Sequence, residues 1–216
     1  MSNSRIARSS TVTLAVLASF GLSSAVAAPK AKAPAGKETK VVFDPQHSNL
    51  KWEGKKSVID SKHEGLIKLK SGELSMAGDQ LKGGKFEIDM TSLTNTDVTD
   101  AEKNAQLVGH LKSEDFFDVA KFPTATVKIK NAKSVEGIVG PTYEVVADLT
   151  IKGKTNEVKF PATIIERDGK KVAKANITID RTKWDVRYGS GKFFKGLGDK
   201  AIADNFQVDL ELVSGT

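Results

Sequence analysis

Three histidines, the serines at 48 and 190 and one glycine-rich loop are the candidates in this chain for bond chemistry. His47, His63 and His110 stand far apart and share no metal-ligand spacing. His47 and His110 read as turn or packing residues that hydrogen-bond the backbone. Ser48 and Ser190 lack the strand–turn–helix context of a nucleophile elbow, so no triad is built on them. Gly189, Gly191, Gly196 and Gly198 suggest a phosphate loop, and residues 196–201 fit a G-x-G-x-x-A spacing. Yet no βαβ pattern surrounds that loop and no apolar strand runs directly into it. No carboxylate pair or histidine dyad stands out for acid/base work. Cysteine is absent, which excludes disulfides, thiol catalysis and cysteine-bound metal centres. The chemistry left is non-covalent.

The elements around these residues are strands. Apolar residues alternate with polar ones at Leu50 and Trp52, at Ile67 and Leu69, and at Leu74 and Met76 after Gly72. The same period of two continues through Phe86, Ile88 and Met90, then Val127 and Ile129. Tyr143, Val145, Ala147, Leu149 and Ile151 form the longest run. Val158 to Ile164, Ala173 to Ile179 and Phe206 to Leu212 complete the set. This makes roughly eight or nine strands, separated by Gly-containing turns such as Gly83-Gly84, Gly153 and Asp168-Gly169. One apolar face per strand predicts an antiparallel sheet with one covered side. Residues 91–122 break the pattern with a helical segment. The predicted class is all-β, an antiparallel barrel with one short helical excursion.

Composition bounds the rest. At 216 residues there is room for one good-sized domain and a short extension. Residues 1–27 read as a secretory signal: Arg5 and Arg8, an apolar run through Leu14, Val16, Leu17 and Phe20, then Ala25-Val26-Ala27 as a cleavage site. An uncleaved anchor is the alternative, but the run is short for a bilayer. Residues 28–40, rich in Ala, Lys and Pro, read as a flexible leader. The signal holds two arginines and no acid, so its removal lowers the net charge from +6 to +4. The lysines are spread along strands and not gathered in a block, which argues against nucleic acid and suits solvated strand faces or weak attraction to anionic lipid.

Residues 110–129 carry the most specific pattern. Ser113 is placed to cap a short helical turn loaded with Phe116 and Phe117, and Pro123 ends it before an alternating strand. This segment resembles the YceI-like family of bacterial proteins. So do Asp44-Pro45-Gln46-His47-Ser48, the Asp-Leu-Thr-Ile-Lys-Gly-Lys-Thr run of residues 148–155, and Gly198-Asp199 before the last strand. The resemblance spans residues 41–213. It implies an extended lipocalin-like barrel that holds a long isoprenoid or other lipid in an internal tunnel, with no catalytic activity. Residues 54–65 depart from it in being lysine-rich where a tunnel mouth is expected.

The predicted inward faces offer the tunnel wall. Ala147, Ala162, Ala173 and Ala175 are small and cluster on consecutive strands, leaving either a channel or a tapering packed core. The resemblance implies the channel, bordered by Phe86, Phe160, Ile177 and Phe206, with Ile88 and Leu149 along it and Phe117 at its end. Trp52 is core or wall. Trp184 and Tyr188 precede the glycine-rich loop, where Tyr188 and Arg187 meet a head group or form a packed rim with Arg187 paired to an acid. Phe193 and Phe194 line an entrance, touch a membrane or pack inside. The expected function is an exported carrier of a polyisoprenoid or isoprenoid quinone, without cofactor, with an exposed edge strand that permits a homodimer. A lipid-acting enzyme on the same barrel and a protein-partner module with a filled core are the rivals.

Overall fold

The computed structural model describes residues 37–135 and 141–215, so the expected signal and most of the leader lie outside the described residues. Nine strands follow one another: β1 (Glu38–Val42), β2 (Asn49–Lys56), β3 (Lys62–Ala77), β4 (Gln80–Asp89), β5 (Thr124–Val135), β6 (Thr142–Ile151), β7 (Lys154–Arg167), β8 (Lys170–Asp180) and β9 (Ile202–Val213). One α-helix, α1 (Ala101–Lys112), lies between β4 and β5. The alternation read from sequence is the burial seen: β6 buries Tyr143, Val145, Ala147, Leu149 and Ile151 and leaves the residues between them wetter.

Eight strands close a ring in the order β2-β9-β8-β7-β6-β5-β4-β3, and β3 pairs back to β2. Every pairing is antiparallel. The barrel is therefore the expected lipocalin-like class, with α1 as its helical excursion. The long strand β3 makes closure possible. Its first residues, Lys62 to Ile67, pair with β2; from Lys68 to Ala77 it pairs with β4. Where β4 has ended, Thr94 and Thr96 donate to Leu66 O and Glu64 O and take its place.

Several local expectations change. The first strand starts at Glu38, inside the stretch read as leader, because Glu38 to Val42 pair with Ala77 to Glu73 of β3. Ile67 and Met76 belong to one strand, and Gly72 lies within it. Gly83 and Gly84 lie inside β4, and the turn is at Gly78. A Cβ at Gly72 would meet the Phe86 ring at 2.5 Å, and one at Gly84 would meet Leu74 Cδ2 at 2.6 Å. These glycines mark close approach of neighbouring strands, not chain reversal. Asp168-Gly169 does form a hairpin turn, with φ of +53° and +72° as a type I′ turn requires. Ser113 is the C-cap of α1, its hydroxyl donating to His110 O, and not the N-cap of a following helix.

The interior divides along the barrel axis. At one end Phe43, Leu74, Met76, Leu81, Tyr143, Val145, Ala147, Ile164, Ala173 and Leu212 fill it. Tyr143, 1% exposed, directs its hydroxyl to Asp79 O and closes that end. Burial raises its phenol pKa further above the ordinary value. The other end holds a second cluster around Leu149, Ile151, Ile177, Ile179 and Trp184. Its leucine and isoleucines line the wall without filling the middle.

Candidate functional site

The hollow end contains a cavity of about 230 Å³. Its wall comes from all eight ring strands: Leu50 and Trp52 on β2, Ile67 on β3, Ile88 on β4, Val127 on β5, Leu149 on β6, Phe160 on β7, Ile177 on β8 and Phe206 on β9. The volume lies below the roughly 300–1,000 Å³ of typical small-molecule sites. From Leu50 to the rim at Lys56 the wall follows roughly 20 Å of strand path at about 3.3 Å per residue. Such a space suits a narrow chain better than a compact ring system.

A parting of two strands widens this end. Pairing of β7 with β8 begins at Ala162 and Ala175 and runs toward the packed end. Residues 154–161 of β7 therefore lack that partner, and Pro161, which has no N–H to donate, is the last of them. Trp184, in a 3₁₀ turn that follows β8, stands in the wedge beside Glu157 to Lys159 and Thr178 to Asp180. Its indole donates to Leu149 O at 3.1 Å. Val158 and Ile179 border both the wedge and the cavity.

The chain between β4 and β5 covers the hollow end. Asp100 caps α1 by accepting from Lys103 N at 2.9 Å. Asn104 ties the helix to Asn95 and Val98, and Lys112 Nζ donates to Thr91 O at 2.7 Å. Leu107, Leu111, Phe116 and Phe117 face the cavity from this cover. Tyr188 holds the cover from outside, its ring 4.6 Å from His110 and 5.4 Å from Phe116.

The cavity meets solvent beside the β2–β3 hairpin, where wall residues Lys55 and Lys62 are exposed. Each histidine faces one carboxylate: His47 with Asp44, His63 with Asp97 and His110 with Asp115. His63 is on the cavity wall. Burial raises the Asp97 carboxyl, but the Glu64 N–H, His63 and Asn95 outweigh it and hold the pKa below the ordinary value. Arg181 is buried at the rim, 4% exposed, and donates to the carbonyls of Ala203, Val186, Tyr188 and Ile202. Burial lowers its pKa, against the pull of Asp204 and Asp180.

The residues expected from sequence separate by their position along the axis. Trp52, Ile88, Phe117, Leu149, Phe160, Ile177 and Phe206 border the cavity. Ala147 does not: it is 0% exposed within the packed end, and Phe86 and Ala175 are spent on packing around the two clusters. Ala147, Ala162 and Ala173 thus fit the packed core, the other of the two readings open for them, and not the channel that the resemblance implied there. They share one cluster with large side chains such as Tyr143 and Phe43, and Ala162 is the cross-strand partner of Tyr143. Trp184 fills the wedge and does not border the cavity. Tyr188 and Phe193 lie outside it, with Arg187 bonded to Asp185 and stacked 4.7 Å over the Phe193 ring. Leu50, Ile67, Val127 and Val208 are wall residues that the sequence reading passed over. Their alternation put them on the inward face; nothing local placed them at the hollow end.

Solved structures share this fold. The structure of BcnA from Burkholderia cenocepacia is 24% identical, with a TM-score of 0.61, covering 80% of this chain and 99% of its own. A polyisoprenoid binding domain from Saccharophagus degradans, described as implicated in plant cell wall breakdown, is 16% identical with a TM-score of 0.60, covering 81% of this chain and 97% of its own. No curated protein matches the chain. The matched family is described as the YceI-like domain and takes in residues 42–214, from the last residue of β1 through the ring of strands and the aromatic cover. This chain belongs to the YceI-like domain family.

Proposed function

We propose that this domain binds the apolar tail of a long-chain lipid, a polyisoprenoid or isoprenoid quinone, in the hollow end of the barrel. The observation that carries the reading is the cavity itself: apolar side chains from all eight ring strands surround a space that the protein leaves empty and opens at one rim. The polyisoprenoid binding of the Saccharophagus degradans domain, which shares the fold, supports the choice of tail. The mechanism is reversible burial and not bond chemistry. Each CH₂ taken from water contributes about 0.8 kcal/mol, so three isoprene units gain more than ~10 kcal/mol gross. Ordering the chain and lost translation offset a good part of that.

Export and contact with a membrane belong to the same proposal. Export rests on the sequence of residues 1–27. Membrane contact rests on the exposed Val58 and Ile59 at the tip of the β2–β3 hairpin, beside the rim. The Ser57 N–H donates to Ala201 O at 2.9 Å and ties this tip to the start of β9. A lipid leaving a bilayer would enter between these residues. A homodimer would add at β1, which pairs with β3 along one side; sedimentation of the purified protein reads that out.

Native mass spectrometry of protein purified from its own host, without detergent, tests the main reading. The expected result is a mass excess matching one lipid, released on unfolding. Absence of any lipid, together with failure to take up an apolar fluorescent probe, would favour the partner-binding rival with its core filled. Turnover of a bound lipid would favour the enzyme rival.

A further inference from the structure

Every titratable side chain on the cavity wall is a base. They are Lys55, Lys56, Lys62, His63 and Arg181, and among the described residues no aspartate or glutamate joins them. Four come from the end of β2 and the start of β3; Arg181 follows β8. Because β9 pairs with both β2 and β8, these residues share one rim. The acids that pair with the hairpin lysines, Glu53 and Glu64, are not on the wall. Glu53 alternates with the wall residues Trp52 and Gly54, and Glu64 lies directly opposite Glu53.

The partners of the five bases divide them. Lys55 is held by Glu53 at 3.0 Å, and Lys62 by Glu53 and Glu64 at 2.7 and 3.1 Å. His63 faces Asp97. Lys56 reaches only a backbone carbonyl, Lys200 O at 3.5 Å, and no carboxylate among the described residues forms an ion pair with it. Arg181 likewise donates to backbone carbonyls alone. Those four bonds use Nε, both Nη1 hydrogens and one on Nη2, so one of its five donors is unspent. Asp204 and Asp180 act on it electrostatically without an ion pair, and both pair with Lys192, at 3.1 and 3.2 Å. Among the described residues, two cations without a direct ion pair to a carboxylate therefore border an apolar cavity at its mouth.

We infer that the head group of the bound lipid is anionic, a phosphate or carboxylate on a single apolar chain, and not a neutral alcohol or quinone. This rests on the tail-binding reading above. With the tail against Leu149, Ile177 and Phe206, the head emerges where Lys56 and Arg181 stand. A negative head gains the attraction of both charges at an apolar rim, where screening is weaker than in bulk water. A neutral head gains one hydrogen bond at most from each.

Displacement of an apolar fluorescent probe by chain-matched competitors tests this: farnesol against farnesyl phosphate, and hexadecanol against palmitate. The expected result is that at least one acid outcompetes its own alcohol by about tenfold or more at low salt. The gain should shrink as salt rises, and Lys56→Gln should lower the advantage of the acid over its own alcohol several-fold. Which acid gains tells phosphate from carboxylate. Equal affinities within both pairs would overturn the anionic head and leave the cavity reading standing. Failure of all four to displace the probe would overturn the cavity reading itself. Lys56 is half-buried at the rim and belongs to neither core cluster, and a thermal melt of Lys56→Gln checks that the fold is kept.

Discussion

Phe117, on the segment after α1, meets Phe206 of β9 edge-on, with ring centroids 6.2 Å apart and planes at 74°. This contact joins the cover to the barrel wall directly over the cavity, since both rings line it. Such aromatic pairs contribute about 0.5–1.5 kcal/mol beyond area burial. Phe117→Ala is expected to loosen the cover and to speed both uptake and release of an apolar probe, with a smaller change in affinity. Stopped-flow fluorescence reads the two rates. Unchanged rates would show that lipid enters elsewhere.

The two ends of the barrel should respond in opposite ways to added bulk. Ala147→Leu, at the packed end, forces extra atoms into filled space and should cost about 1–3 kcal/mol in denaturant melts. Ile177→Phe, at the hollow end, should cost less than about 1 kcal/mol because its ring has room, while weakening probe binding several-fold. An Ile177→Phe protein that binds probe normally would move the tail site away from β8.

Trp184 holds the parted strands β7 and β8 in place. Trp184→Ala should destabilise by about 3–5 kcal/mol, the range for a large buried aromatic. Trp184→Phe keeps most of the packing but leaves Leu149 O without its indole donor. It should cost about 1–3 kcal/mol. Thermal and urea denaturation give both values, and equal losses would mean that the hydrogen bond dominates.

Asp97 predicts an acid limb. Its folded pKa lies below its ordinary value of 3.8, so the carboxylate is stabilised in the folded chain. That contribution is fully present above the unfolded value and is lost as pH falls through the depressed folded value. Wild type should therefore exceed Asp97→Asn in stability at pH 7, and the gap should close below about pH 4. Urea midpoints measured across this range check it; a gap that persists at the lowest pH would assign it to uncharged hydrogen bonds. The loop so held is the one that replaces β4 beside β3, with Asp97 accepting from Glu64 N at 2.8 Å.

Much of this was legible in the chain. A period of two is a local property, and it marked inward residues such as Trp52, Leu149, Ile177 and Phe206 because one covered face demands apolar side chains at every second position. The Phe116-Phe117 pair before Pro123 announced an aromatic cover, and four ordered motifs announced the family. Which end would be hollow was decided only in three dimensions. It depends on where β7 leaves β8, on Trp184 entering that gap and on Tyr143 and Phe43 closing the other end, and these are contacts between residues distant in sequence. An alanine looks the same beside a void as beside a tyrosine; only the side chain opposite it, brought there by the closed ring, decides between a bore and a core.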